Sequence, residues 1–197
     1  MQNKSFQDLV NVFNTQALTS TSNQDRMGHL ALRYALLTRH KSTGVDDAEK
    51  TALAQTMLDA TITFVEKVID YVGQPALSVG EDDRGTPEVI SGWVEAPLTA
   101  LTAPESIAYL PKNASEKLAE LALRAIDEIA GKPDGHRFHK DSYATMGYIT
   151  QTILTHADMI ADHVKANELT ADHFATKQPI VTRKPILLKS KAATPTT

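Results

Sequence analysis

The sequence predicts an all-α fold, an irregular bundle of five to six helices around a long central helix (46–72), with an extended C-terminal arm. Three observations favour this fold. Apolar residues recur at three- and four-residue spacings along most of the chain. Capping residues, glycines and prolines mark where those stretches begin and end. Strand-like alternation is missing, apart from a short extended piece near 178–182, and 197 residues that are 42% hydrophobic suffice for one buried core.

Three helices are predicted in the first part of the chain. The first begins at a capping-box pattern starting at Ser5, and the second covers roughly 24–40. The third begins at Asp46, which has Glu49 at capping-box spacing, and ends before Gly73. Each has a stripe of apolar residues: Phe6, Leu9, Val10 and Phe13 in the first, and Met27, Leu30, Tyr34 and Leu37 in the second.

The third helix is apolar on two nearly opposite faces, which is typical of a helix packed between neighbours. We therefore expect it at the centre of the core. One face contains Leu53, Met57, Ala60, Phe64, Val68 and Tyr71, and the other contains Leu58, Ile62, Val65, Ile69 and Val72.

Residues 74–112 are predicted to form broken helices. Thr86-Pro87-Glu88 has the order of an N-cap, a first-turn proline and a first-turn acid, so a short helix should begin there and end before Pro97. Another turn or two should follow Thr102. A helix then starts at Asn113 and ends near Gly131; the last long helix covers roughly 141–166, and a separate turn starts at Thr170.

Charge divides the chain into a helical domain, 1–176, and an arm, 177–197. The arm contains five basic residues and no acidic one, so the net charge of −4 leaves the domain with 15 bases and 24 acids, or −9. Pro179 and Pro185 favour an extended arm. Such a basic and aliphatic segment suits strand addition or a groove on a neighbour; the alternative is a terminus with no binding role. The predicted partner-binding residues are Ile180, Val181, Arg183, Lys184, Ile186, Leu187, Leu188, Lys189 and Lys191.

Two histidines and two aspartates lie together in 155–163, THADMIADH. At 100° per residue, His163 lies about 20° from His156 on the apolar side of the helix, whereas Asp158 and Asp162 lie on the far side. The aspartates therefore cannot share one ion with these histidines. The histidines are about 10 Å apart along the helix, which is too far for the usual helical metal pair. We interpret both as histidines at a packing edge, with a metal or a proton-sensitive contact as alternatives.

His136 and His139 lie in a turn ahead of that helix. Two histidines three residues apart are a weak metal or anion candidate, and a surface turn is the alternative interpretation. No metal or other cofactor is expected on these grounds.

Arg26, Arg33 and His40 are spaced by seven residues and form a basic stripe, with His29 close by. Such a stripe could follow nucleic-acid phosphates or an acidic partner helix. The alternative is a solvated flank of the second helix.

Asp59, Glu66 and Asp70 align along the long helix. Paired carboxylates can bind a cation or act as acid and base. We interpret them as a solvated acidic face, since no matching basic pattern was identified on another helix.

The sequence supports no enzyme class. It contains no cysteine, which excludes disulfides and thiolate chemistry. It contains no nucleophile elbow, phosphate-binding loop or dinucleotide fingerprint. The pattern of its first residues does not have the continuous apolar stretch expected of a signal peptide, and no apolar run is long enough to span a bilayer. We expect a protein of the cytoplasm, or of a particle assembled inside the cell, that does not bind membranes. Whether it is an enzyme is left open by the sequence, which favours a protein without enzymatic activity.

Three functional hypotheses follow. The first is a non-enzymatic assembly subunit or adaptor whose arm docks on a copy of itself or another subunit, in a filament, a shell or a virion-like particle. The second is a nucleic-acid-associated helical protein that uses the arm and the basic stripe. The third is a metal-dependent helical-bundle enzyme that uses its histidines.

Overall fold

The computed structural model describes residues 21–39, 44–74, 87–132 and 142–176. The predicted helix at Phe6 and the C-terminal arm lie outside these residues. Within them the fold is all-α, as predicted, with five α-helices and no strand. We number the helices α1 (Thr21–Arg39), α2 (Asp47–Val72), α3 (Pro87–Thr102), α4 (Ala114–Ala130) and α5 (Ser142–Thr176), with a 3₁₀ turn at Ile107–Tyr109 after α3.

Helix α2 is the predicted central helix and has the predicted ends. The Asp46 side chain accepts a hydrogen bond of 2.8 Å from the Glu49 backbone N–H, which satisfies one of the free donors of the first turn. At the other end, the Gly73 N–H donates to the Ile69 carbonyl at 2.9 Å. Eleven of its residues are buried, from both predicted faces: Leu53, Ala54, Met57, Leu58, Ala60, Thr61, Phe64, Val65, Val68, Ile69 and Val72.

Contacts between helix ends show how the chain runs. Arg39 pairs with Glu105, Lys50 reaches the Tyr109 hydroxyl, and Thr102 contacts α5 in its middle. The end of α1, the start of α2, the end of α3 and the 3₁₀ turn therefore meet at one end of the bundle, which we call the junction end. Helix α4 follows the 3₁₀ turn and runs parallel to α2, because Lys117 pairs with Asp59 and, seven residues later, Arg124 pairs with Glu66.

Helix α3 does not end before Pro97, so that prediction is wrong. The helix continues to Thr102 with Pro97 inside it. An internal proline costs about 3 kcal/mol because it removes one backbone hydrogen bond and crowds the preceding turn. Val94, Leu98 and Leu101 are fully buried on both sides of the proline. Burial of each contributes roughly 1.5–3 kcal/mol, enough together to hold the helix through it.

Helix α5 is also longer than predicted. It runs without interruption from Ser142 to Thr176, so the predicted end near 166 and the separate turn at Thr170 are wrong. No glycine or proline lies between 148 and 176, so no local signal stops the helix. Ile160 is buried, and residues 161–169 after it are exposed or half-buried. The helix thus extends about 24 Å past Ile160, at 1.5 Å per residue.

None of the described helices is long and apolar enough to cross a lipid bilayer.

Candidate functional site

His156 is buried and bonded to Thr102 at the junction end. Its side chain is 8% exposed, and its Nδ1 lies 2.8 Å from the Thr102 Oγ1 across α3 and α5. Sequence periodicity correctly placed His156 on the core-facing side. It did not identify Thr102 as the partner, because that requires knowing which part of α3 lies beside α5.

The Thr102 hydroxyl has a single proton and two neighbours. It donates to the Leu98 carbonyl at 3.0 Å, and so it accepts from His156 when both bonds form. This arrangement requires neutral His156 to carry its proton on Nδ1. The second ring nitrogen is then an acceptor.

Burial lowers the pKa of His156 below its ordinary value of 6.5, and the nearby Glu95 carboxylate opposes that shift. The histidine is therefore neutral near pH 7. A neutral imidazole beside a threonine hydroxyl resembles a base with a nucleophile, but here it joins two helices inside the bundle. Its evident role is to connect α3 to α5.

The exposure of the other polar residues in 155–163 agrees with the helical periodicity of the sequence. Asp158 and Asp162 are exposed on the opposite side of α5 from His156. His163 is half-buried, and its Nε2 lies 2.9 Å from the Asn167 amide nitrogen. No group of three or more potential metal ligands occurs among the described residues.

A second buried polar cluster lies beside the first. The Thr38 hydroxyl is 2.8 Å from the Ser106 hydroxyl and also bonds to the Tyr34 carbonyl at 2.9 Å. Tyr34 is fully buried, and burial raises the pKa of its phenol. The Ser106 hydroxyl faces Tyr34, yet the Tyr34 oxygen makes no well-formed hydrogen bond with any described residue.

Replacing Tyr34 by phenylalanine should leave the free energy of unfolding unchanged or raise it by up to about 1 kcal/mol. An unpartnered buried hydroxyl carries a desolvation cost, which the substitution removes. Denaturant unfolding measures the change. The matched control is Tyr109→Phe, since the Tyr109 hydroxyl donates to Asp47 at 3.0 Å and should cost about 0.5–1 kcal/mol when lost. A loss at Tyr34 larger than at Tyr109 would show that the Tyr34 hydroxyl has a partner.

The acidic residues of α2 remain partly exposed, in line with their interpretation as a solvated face, and they also pair with basic residues of α4. Lys117 Nζ lies 3.3 Å from Asp59 Oδ1. Arg124 pairs with Glu66 and, at 2.9 Å, with Asp70. These pairs are partly exposed, and each contributes about 0–1 kcal/mol.

Between these ion pairs lies an open groove of about 410 Å³. We call it the α2–α4 groove. Aliphatic side chains and charged groups of both signs line it: Asp59, Ile62, Thr63, Glu66, Lys117, Glu120, Leu121 and Arg124.

A sequence signal for these pairs existed. Asp59 and Glu66 are seven residues apart, and so are Lys117 and Arg124. Equal spacing lets two parallel helices pair both positions at once. The signal could be used only once α2 and α4 were known to run in the same direction.

The basic stripe of α1 is only partly described. His29 is exposed, and Arg26 and Arg33 are half-buried on α1. The binding of nucleic acid or of an acidic helix by this stripe stays a prediction. His40, the turn histidines His136 and His139, and all the predicted partner-binding residues of the arm lie outside the described residues.

Large apolar side chains are exposed on several helices. On α1, Leu32 and Leu36 are 65% and 60% exposed and lie one turn apart. On α4, Leu123 and Ile126 form a similar pair. Neighbouring apolar residues on one helix face are more typical of a contact surface than single scattered ones.

Comparison with protein-family models, curated proteins and solved structures finds no match to this chain. Any functional conclusion therefore depends on the residues and geometry described above.

Proposed function

We propose that this protein is a non-enzymatic subunit of a multi-subunit assembly, in which the basic arm of one subunit docks on the acidic body of a neighbour. The observation that carries the proposal is the outward extension of α5. That helix continues for sixteen residues past the buried Ile160, residues 161–169 are exposed or half-buried, and the arm begins directly after Thr176. The arm thus starts well away from the core of its own subunit.

Charge favours such docking. The arm carries +5 and the remaining chain −9. Opposite charges on two surfaces speed and orient their encounter more than they tighten the complex. The aliphatic residues of the arm would supply most of the affinity once they are removed from water.

The exposed apolar pairs on α1 and α4 give a second, independent support. Leu32, Leu36, Leu123 and Ile126 would each lose contact with water in an interface. Exposed apolar neighbours of this kind are the surfaces that assemblies commonly bury.

The test is the mass of the intact chain in solution by light scattering. We expect a multimer. Replacing Ile186, Leu187 and Leu188 together by serine should weaken association at least about a hundredfold, because three aliphatic anchors lose their burial. The matched control, Ala192→Ser with Ala193→Ser in the same arm, should associate like the unmodified chain.

A chain that stays monomeric at high concentration would overturn self-assembly. Ultraviolet absorbance that disappears after nuclease treatment would favour the nucleic-acid hypothesis. Stoichiometric zinc or iron would favour the metal-dependent enzyme.

A further inference from the structure

We propose that the α2–α4 groove is the site at which the arm docks, and that the arm it receives belongs to a second copy of the chain. The arm residues around Ile186 and Leu187 would lie on the aliphatic floor, and the flanking basic residues Lys184 and Lys189 against the acidic rim. This inference rests on the proposed function, and it specifies the surface and the source of the arm.

The groove has the two properties that a basic and aliphatic segment requires. Ile62 and Leu121 give it an apolar floor, and Asp59, Glu66 and Glu120 give its rim three carboxylates. Its volume of about 410 Å³ falls within the range of pockets that enclose side chains or small ligands.

The charges of the rim are not balanced within the subunit. Lys117 and Arg124 are the two basic residues of the lining, and both already pair with acidic residues of α2. Glu120 is exposed and forms no ion pair with any residue in the described part of the chain. A lysine or arginine from the arm would supply the missing partner.

The backbone of the arm suits a groove between two helices. Pro179 and Pro185 disfavour helix and favour an extended segment. An extended segment can present alternate side chains to a floor and to a rim.

With α5 helical to Thr176, the length of the chain keeps Ile186 from reaching the groove of its own subunit. The groove residue Ile62 lies twelve residues beyond Lys50, or about 18 Å from the junction end. Thr176 lies twenty residues beyond His156, or about 30 Å on the other side of the same end. The ten residues from Thr176 to Ile186 span at most about 36 Å when fully extended, against a separation of nearly 50 Å. An arm that places Ile186 in the groove must therefore come from a second copy.

Disulfide trapping between two full-length chains tests the inference. Because the sequence contains no cysteine, only the introduced cysteines can form a disulfide. One chain carries Thr63→Cys in the groove and the other Leu187→Cys in the arm, with a different tag on each. Mild oxidation of the mixture should give a disulfide-linked heterodimer.

The control is Thr51→Cys mixed with the same arm variant. Thr51 and Thr63 are both on α2, and both hydroxyls donate to the carbonyl four residues earlier, so the two substitutions perturb the helix alike. Thr51 does not line the groove, and its heterodimer should be at least about tenfold less abundant.

A charge variant gives a second readout. Glu120→Lys should weaken association roughly fivefold at low salt, and the difference should shrink as salt rises. Asp158→Lys makes the same charge change on an exposed position of α5 and should leave association unchanged.

The outcomes separate the two proposals. Suppose that assembly still depends on the arm, but that Thr51→Cys and Thr63→Cys give equal amounts of heterodimer or none. The groove would then not be the docking site, and the proposed assembly function would remain. An intrachain disulfide in the monomeric double variant would overturn the second-copy assignment. A chain that does not assemble at all would overturn both.

Discussion

Replacing Phe64 by alanine should lower the free energy of unfolding by about 3–5 kcal/mol. Phe64 is 1% exposed near the middle of α2, the helix that packs against α1, α3, α4 and α5. The substitution removes a large apolar side chain from the core and leaves a cavity that its surroundings can fill only in part. Denaturant unfolding measures the loss, with one value for the dependence of the unfolding free energy on denaturant concentration fitted to both proteins.

The matched control is Leu36→Ala on α1. Leu36 is 60% exposed, so its truncation should change the free energy of unfolding by less than about 0.5 kcal/mol. A similar loss at Leu36 and Phe64 would contradict the assignment of α2 to the centre of the core.

Acidification should destabilise the protein through His156. Burial lowers the pKa of this histidine in the folded state, so below about pH 6.5 the unfolded chain binds a proton that the folded chain does not. The free energy of unfolding should therefore be constant above about pH 7. It should fall as the pH drops through 6.5 towards the lower folded pKa, by at most about 1.4 kcal/mol per pH unit.

Denaturant unfolding between about pH 7.5 and about pH 5.5 measures this dependence, and His156→Gln should remove most of it. The chain contains seven histidines, so the matched control is His29→Gln, a substitution of an exposed histidine on α1 that should leave the dependence intact. Retention of the full slope in His156→Gln would assign the pH dependence to another group.

The ends of α2 could be predicted because local chemistry decides them. Asp46 caps one end and Gly73 follows the other, and both act within one turn of the helix. The two apolar faces gave its central position by the same periodicity that placed His156 on the core side of α5. Where the signal lay within the helix itself, the sequence was sufficient.

Pro97 shows why local rules fail elsewhere. Its cost is a property of its own turn, whereas the compensating burial of Leu98 and Leu101 depends on helices distant in sequence. The Thr102–His156 bond and the α2–α4 groove were missed for a related reason. Each joins residues more than fifty positions apart, and no spacing within one segment indicates which helices are neighbours.

The length of α5 beyond Ile160 has a thermodynamic consequence. Residues 161–176 make about four turns, close to the length at which a peptide helix in water is only marginally favoured. The buried part of α5 nucleates these residues, so they remain helical but fray more readily than residues that another molecule covers. Ellipticity should rise when subunits are concentrated into the complex and fall again on dilution, which makes this stretch an intrinsic spectroscopic reporter of partner engagement.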